Sequence, residues 1–178
     1  MRTIELTCDP VFDRAVRTVW RQLADGGVDS LADNPHPAHR PHLTLAACGA
    51  VAPERLAEIG ELLDGVLPLE VRLSGLLSFS ARSRRRVLAW GVVPGPALID
   101  LHREVWRLLA DAPEPNPLYL PGRWMPHLGL TRRVEPAGLD LAHRLLGRHP
   151  DLVGVFDGAR TFDSERQLTT ALPVRPEI

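Results

Sequence analysis

Two short stretches share the pattern Pro-His-Leu-x-Leu: Pro41-His42-Leu43-Thr44-Leu45 and Pro126-His127-Leu128-Gly129-Leu130. Histidine titrates near pH 6.5 when unperturbed, so of two facing rings one can be neutral while the other is charged. The neutral ring can take a proton from water or a hydroxyl, and the charged ring can give one to a departing oxygen. Displacement at phosphorus calls for that pair on opposite sides of the phosphate. A hydroxyl at Thr44 can then donate to a non-bridging oxygen. This chemistry calls for no metal and no cofactor. One histidine on an amphipathic strand is more often packing than catalysis; two in the same local frame favour function.

The frame around them also recurs. The segment VWRQLAD from Val19 returns as VWRLLAD from Val105. Pro10 matches Pro96, Pro53 matches Pro136, Gly75 matches Gly158 and Phe79 matches Phe162, in the same order. An amphipathic pattern alone explains matched leucines but not these landmarks, so the chain reads as an internal duplication. Each half reads strand, helix, strand, helix, strand. Residues 2–8 alternate, with Ile4 and Leu6 on one face. Asp9 is the expected N-cap and Pro10 the first helical residue, followed by Phe12, Val16, Val19, Trp20 and Leu23 at helical spacing up to Gly26-Gly27. A motif strand (41–48), a helix opened by Pro53 and a strand through Leu69, Val71 and Leu73 follow. The second half predicts strand 87–93, helix 96–110, motif strand 126–133, helix 136–146 and strand 151–157. The expected organisation is one domain of two pseudo-twofold lobes, 1–80 and 86–165, plus a C-terminal strand, 166–174. Residues 80–86 make a basic turn between the lobes, and the proline-rich stretch 112–124 an irregular loop.

Side chains alternate faces along a strand. His42 and Thr44 therefore share one face, as do His127, Gly129 and Thr131, while Leu43, Leu45, Leu128 and Leu130 point to the core. A pseudo-twofold axis brings the motif strands side by side and sets His42 opposite His127.

Composition removes several alternatives. All 21 basic residues are arginine, so lysyl-nucleotide ligation, Schiff-base chemistry and a lysine-bearing phosphate loop are excluded. A formal net charge of −1 gives no global attraction to nucleic acid or membrane, so any basic surface is local. No apolar run is long enough to span a bilayer, and the first residues do not read as a secretion signal. Cys8 and Cys48 lack metal-ligand spacing and read as buried thiols. The expectation is a cytoplasmic monomer.

His42-Leu43-Thr44-Leu45 and His127-Leu128-Gly129-Leu130 in a duplicated frame resemble the paired H-x-[ST]-x motifs of the 2H phosphoesterase superfamily. Trp124-Met125-Pro126-His127 is similar to the W-x-P-H lead-in of its LigT-like, 2′-5′ RNA ligase branch. The resemblance implies an α+β, two-lobe LigT-like fold, with two mainly antiparallel sheets facing a central cleft and helices outside. It implies a metal-independent phosphodiesterase whose partner is an RNA end or a nucleotide cyclic phosphate. In that branch, opening a 2′,3′-cyclic phosphate with water leaves a 2′-phosphate, and opening it with an RNA 5′-hydroxyl instead forms a 2′-5′ link. His42, Thr44 and His127 are then the catalytic set.

Gly129 departs from the motif. A lost hydrogen bond to a charged group costs roughly 1.5–3 kcal/mol, so the alternative is a weakened module that binds RNA or nucleotide. Thr131 lies on the same face but roughly 6.6 Å along the strand. Substrate-binding candidates are Gly129, Thr131, Arg133 by alternation, Arg123 beside the motif, and Tyr119 and Trp124 as base-stacking rings; Trp124 fits the core equally well. Arg40, Arg132 and Arg84 to Arg86 are further phosphate contacts or solvated charges. His36, His39 and His42 have a metal-like spacing, but Pro35, Pro37 and Pro41 interrupt it and no nearby Cys or carboxylate completes a site. His102, His143 and His149 carry no signal.

Overall fold

The computed structural model describes residues 1–36, 39–81, 83–147 and 151–173. The order is β1 (Arg2–Cys8), α1 (Pro10–Asp25), β2 (His42–Cys48), α2 (Pro53–Asp64), β3 (Leu69–Ser80), β4 (Arg86–Val93), α3 (Pro96–Leu108), β5 (His127–Gly129), α4 (Pro136–Leu146), β6 (Leu152–Asp163) and β7 (Leu168–Leu172). Each of the four helices opens with proline in its first turn, where the missing N–H has no intrahelical partner to lose. Asp9 caps α1 by accepting from the Phe12 amide at 2.6 Å. Beyond α1, Gly27 takes φ of 86°, a conformation that glycine adopts without steric cost. The apolar stripe of α1 is the expected one: Phe12, Val16, Val19, Trp20 and Leu23. Among the described residues, no helix is long and apolar enough to cross a membrane.

The strands form one antiparallel sheet, ordered β2-β1-β6-β3-β4-β5 with β7 beside β6. This differs from the two sheets expected. The reason lies in two 12-residue strands, β3 and β6. Their opening portions pair with each other, Leu69 with Phe156 through Leu73 with Leu152. Beyond that overlap β3 runs along β4, and β6 runs along β1. The last strand of each sequence half thus completes the first strand of the other. The sheet bends until its terminal strands, β2 and β5, come into contact.

One face of the sheet is core, with Ile4, Leu6, Leu43, Leu45, Leu88, Trp90 and Leu128 all buried. The opposite face carries the motif histidines, in the alternation expected. Several predicted spans differ: the strand expected at 151–157 runs on to Asp163, and the helix expected at 96–110 ends at Leu108. The second motif strand ends at Gly129 instead of running to 133, because Leu130 N and Thr131 N both donate to Leu88 O and break the register. The C-terminal strand spans 168–172; residue 174 lies outside the described residues, as do Arg82 in the basic turn and His149.

Candidate functional site

Each motif histidine is tied by the same local bond. His42 Nδ1 lies 2.8 Å from Arg40 O, and His127 Nδ1 lies 2.7 Å from Met125 O. A carbonyl only accepts, so each Nδ1 holds the hydrogen and Nε2 is the nitrogen left for other partners. Arg160 Nη2 also approaches His42 Nδ1, at 3.4 Å; the shorter, better contact to the carbonyl decides the tautomer. The proline before each histidine favours extended backbone at the residue ahead of it.

The contacting edges are bolted together by indoles. Trp124 Nε1 donates to Thr44 O at 3.0 Å, Trp106 Nε1 to Leu45 O at 3.3 Å, and Trp20 Nε1 to Gly129 O at 2.9 Å. Trp20 sits on α1 yet reaches β5, and Trp106 sits on α3 yet reaches β2. These N–H groups satisfy edge-strand carbonyls that no further strand pairs.

The two histidines have unlike surroundings. His127 packs on Phe79, ring centroids 4.6 Å apart. Burial is the main cause that pushes its pKa below the ordinary range; the Met125 carbonyl opposes this, and the charge of His42 adds to it. His42 faces a charged layer instead. Glu5, 3% exposed, has its Oε1 3.8 Å from His42 Nε2. Its Oε2 accepts from Arg160 Nε at 2.7 Å, and Thr3 Oγ1 donates to Oε1 at 2.7 Å. Burial pushes the Glu5 carboxyl up, but the charges of His42 and Arg160 together outweigh it and hold it below its usual value. In register, Glu5 pairs with Thr44 and Arg160, and in the second half Ala89 pairs with Gly129 and Leu77. Three polar or charged residues in one half thus match three apolar or bare ones in the other.

Not every sequence-derived candidate is where alternation put it. Thr131 is 2% exposed, and its hydroxyl accepts from the Leu88 amide at 2.9 Å; it mends the broken register and has no path to a substrate. Arg133 is exposed beside Asp29, Arg85 and Arg132, and the irregularity after Gly129 removes the alternation that aimed it. Arg123 is exposed in a turn after Leu120. Trp124 is stacked on His102 at 3.9 Å, the two rings nearly parallel, so its ring already has a partner. Tyr119 lies beside Thr44, and burial raises its pKa while Thr44 opposes this. A Cβ at Gly129 would lie 2.9 Å from Leu31 Cδ1, so Leu31 occupies the space beside the missing hydroxyl. His36 packs edge-on against Phe162 and His39 stacks on Trp20. Among the described residues no group of His, Cys, Asp or Glu is arranged to hold a metal.

Sequence reasoning missed Glu5, Arg160, Phe79 and His102. Alternation puts Glu5 on the polar face of its strand with Thr3 and Thr7, which is no distinguishing signal. His102 gave none, although it is buried and its Nε2 bonds Tyr119 O at 2.8 Å, anchoring the loop before β5.

Residues 11–174 match the family model of the 2′-5′ RNA ligase superfamily. Among solved structures, the chain resembles the protein TT0787 of Thermus thermophilus (19% identity, 97% of this chain and 96% of that one, TM-score 0.57). It also resembles a protein described as a phosphoesterase (20% identity, 98% and 94%, TM-score 0.53), and Kluyveromyces marxianus Usb1 (13% identity, 97% and 97%, TM-score 0.51). At these identities the likeness concerns the fold. No curated protein matches.

Proposed function

Since the chain belongs to the 2′-5′ RNA ligase superfamily, we propose that it is a metal-independent phosphodiesterase that opens 2′,3′-cyclic phosphates of RNA ends or nucleotides. The observation that carries this reading is the matched Nδ1–carbonyl bond of His42 and His127, which leaves Nε2 of each ring available on contacting strands. His127, kept neutral by burial, takes a proton from water as its oxygen bonds to phosphorus. The P–O3′ bond breaks, and His42, beside the Glu5 carboxylate, gives a proton to O3′. A 2′-phosphate results, and proton exchange with solvent resets the two rings. Thr44 donates to a non-bridging oxygen. With an RNA 5′-hydroxyl in place of water, the same steps form a 2′-5′ bond.

The test is hydrolysis of a nucleoside 2′,3′-cyclic phosphate in EDTA. His42→Ala and His127→Ala should each lower kcat/KM by about 10²–10⁴-fold; full activity in both variants would remove the mechanism. A second reading, a nucleotide-binding module without turnover, is favoured by Leu31 filling the space beside Gly129. Binding of a 2′-phosphate end with no product formed would select it.

A further inference from the structure

The histidine-bearing face continues beyond His42. Thr7 pairs with His42 on one side and Gly158 on the other, while Glu5 pairs with Arg160, and Arg160 with Ala171 of β7. Cross-strand partners share a face, so Thr7, Gly158, Arg160 and Ala171 extend that floor away from the motif strands. Above it lies a groove of about 860 Å³, walled by Asp13, Arg14, Arg17, His39 and Arg40. It adjoins the histidine site through Arg160, 3.4 Å from His42 Nδ1, and through Arg40, whose carbonyl holds the His42 ring.

Four arginines line this groove; Asp13 and Asp157 line it as well and Glu5 pairs with Arg160, so four guanidinium groups stand against three carboxylates in a chain of formal net charge −1. The positive excess is therefore local. Three guanidinium groups are held in place. Arg17 bonds Asp13 and donates to His39 O at 3.0 Å. Arg40 donates to Cys8 O at 2.6 Å and sits 3.4 Å from Asp13. Arg160 is held by Glu5. Arg14 is exposed and makes no ion pair among the described residues. Planar guanidinium groups fixed around one groove suit phosphate oxygens.

The other half of the molecule provides an internal control. In register Arg160 corresponds to Leu77, and Arg40 precedes its histidine as Met125 does. Counted from the opening proline, Asp13, Arg14 and Arg17 of α1 correspond to Ile99, Asp100 and Arg103 of α3. Of the four arginines only Arg17 has an arginine counterpart, so the cluster as a whole is on one side.

Resting on the phosphodiesterase reading, we propose that this groove is the subsite for the phosphodiester next to the reacting phosphate. The nucleic acid then leaves the histidine pair over β1 and β6, and an oligonucleotide end is a better substrate than a mononucleotide.

The test compares kcat/KM for a short oligoribonucleotide ending in a 2′,3′-cyclic phosphate with that for a nucleoside 2′,3′-cyclic phosphate. Wild type should prefer the oligonucleotide. Arg14→Glu should lower that preference about fivefold, and Arg103→Glu, the same charge change on α3, should leave it intact. In parallel, the affinity for an oligoribonucleotide with a 3′-phosphate is followed against salt; Arg14→Glu should lower the slope of log K on log salt by about 0.7. An equal loss of preference in both variants, or no loss in Arg14→Glu, overturns the subsite. If wild type opens neither substrate, the phosphodiesterase reading fails, and the salt slope decides the groove: an unchanged slope overturns it.

Discussion

The two motif strands share the features that aim an imidazole and differ in what surrounds it. On both, a carbonyl two residues back holds Nδ1 and an indole from another element caps a backbone oxygen. Around His42 lie Thr44, Glu5 and Arg160; around His127 lie Gly129, Ala89, Leu77 and Phe79. The second half forms the same pairing without buried charge, so the Glu5–Arg160 pair is not required to build the sheet. Its place beside one histidine makes the two rings unequal, as a reaction with one acid and one base requires.

The sharpest break in that comparison removes one member of the pair. Glu5→Ala leaves the Arg160 guanidinium, 8% exposed, without its carboxylate, and should cost about 3–5 kcal/mol in denaturant unfolding. The double variant Glu5→Ala/Arg160→Leu copies the Ala89–Leu77 arrangement and should recover most of that loss. Equal losses in single and double variants would mean that the charges are not coupled.

A smaller effect comes from giving the second half the hydroxyl of the first. Gly129→Ser alone meets Leu31. Combined with Leu31→Ala it should raise kcat/KM on a cyclic phosphate by about tenfold or more, from one added hydrogen bond to a charged group. No gain in the double variant would show that the hydroxyl is not what separates the two halves.

The smallest effect lies in pH. Burial lowers the pKa of His127 and His102, and takes His39 down to about 4 with help from neighbouring positive charges. Unfolded rings take up protons below about pH 6.5, while these folded rings resist. The unfolded state therefore binds more protons in that interval, and stability should fall as pH drops from 6.5 toward 4. His39→Gln should flatten the curve in urea titrations across that range. Glu5, held below its unfolded value, contributes stability above the usual carboxylate range that is lost as pH falls through its lowered folded value.

Local patterns made much of this legible in the sequence. Proline at each helix start, the α1 stripe and the paired Pro-His-Leu-x-Leu depend on near neighbours, and the helices and the motif faces lie where those patterns put them. The merger into one sheet was hidden, because it depends on Leu69–Leu73 meeting Leu152–Phe156, and alternation does not specify a partner strand. The early end of β5 was hidden for the same reason: Leu88 O, distant in sequence, takes two amides. Arg160 looked like any surface arginine until Glu5 was found opposite it on the neighbouring strand and His42 one strand further on.

The crossing of β3 and β6 also has a bearing on how the chain reaches its native state. Arg2 finds a neighbour at Asp163, so a ribosome must deliver almost the whole polypeptide before the earliest strand can be flanked on both sides. Long-range closures of this kind slow folding, and here they set β1, the neighbour of the first motif strand, against a strand made near the finish.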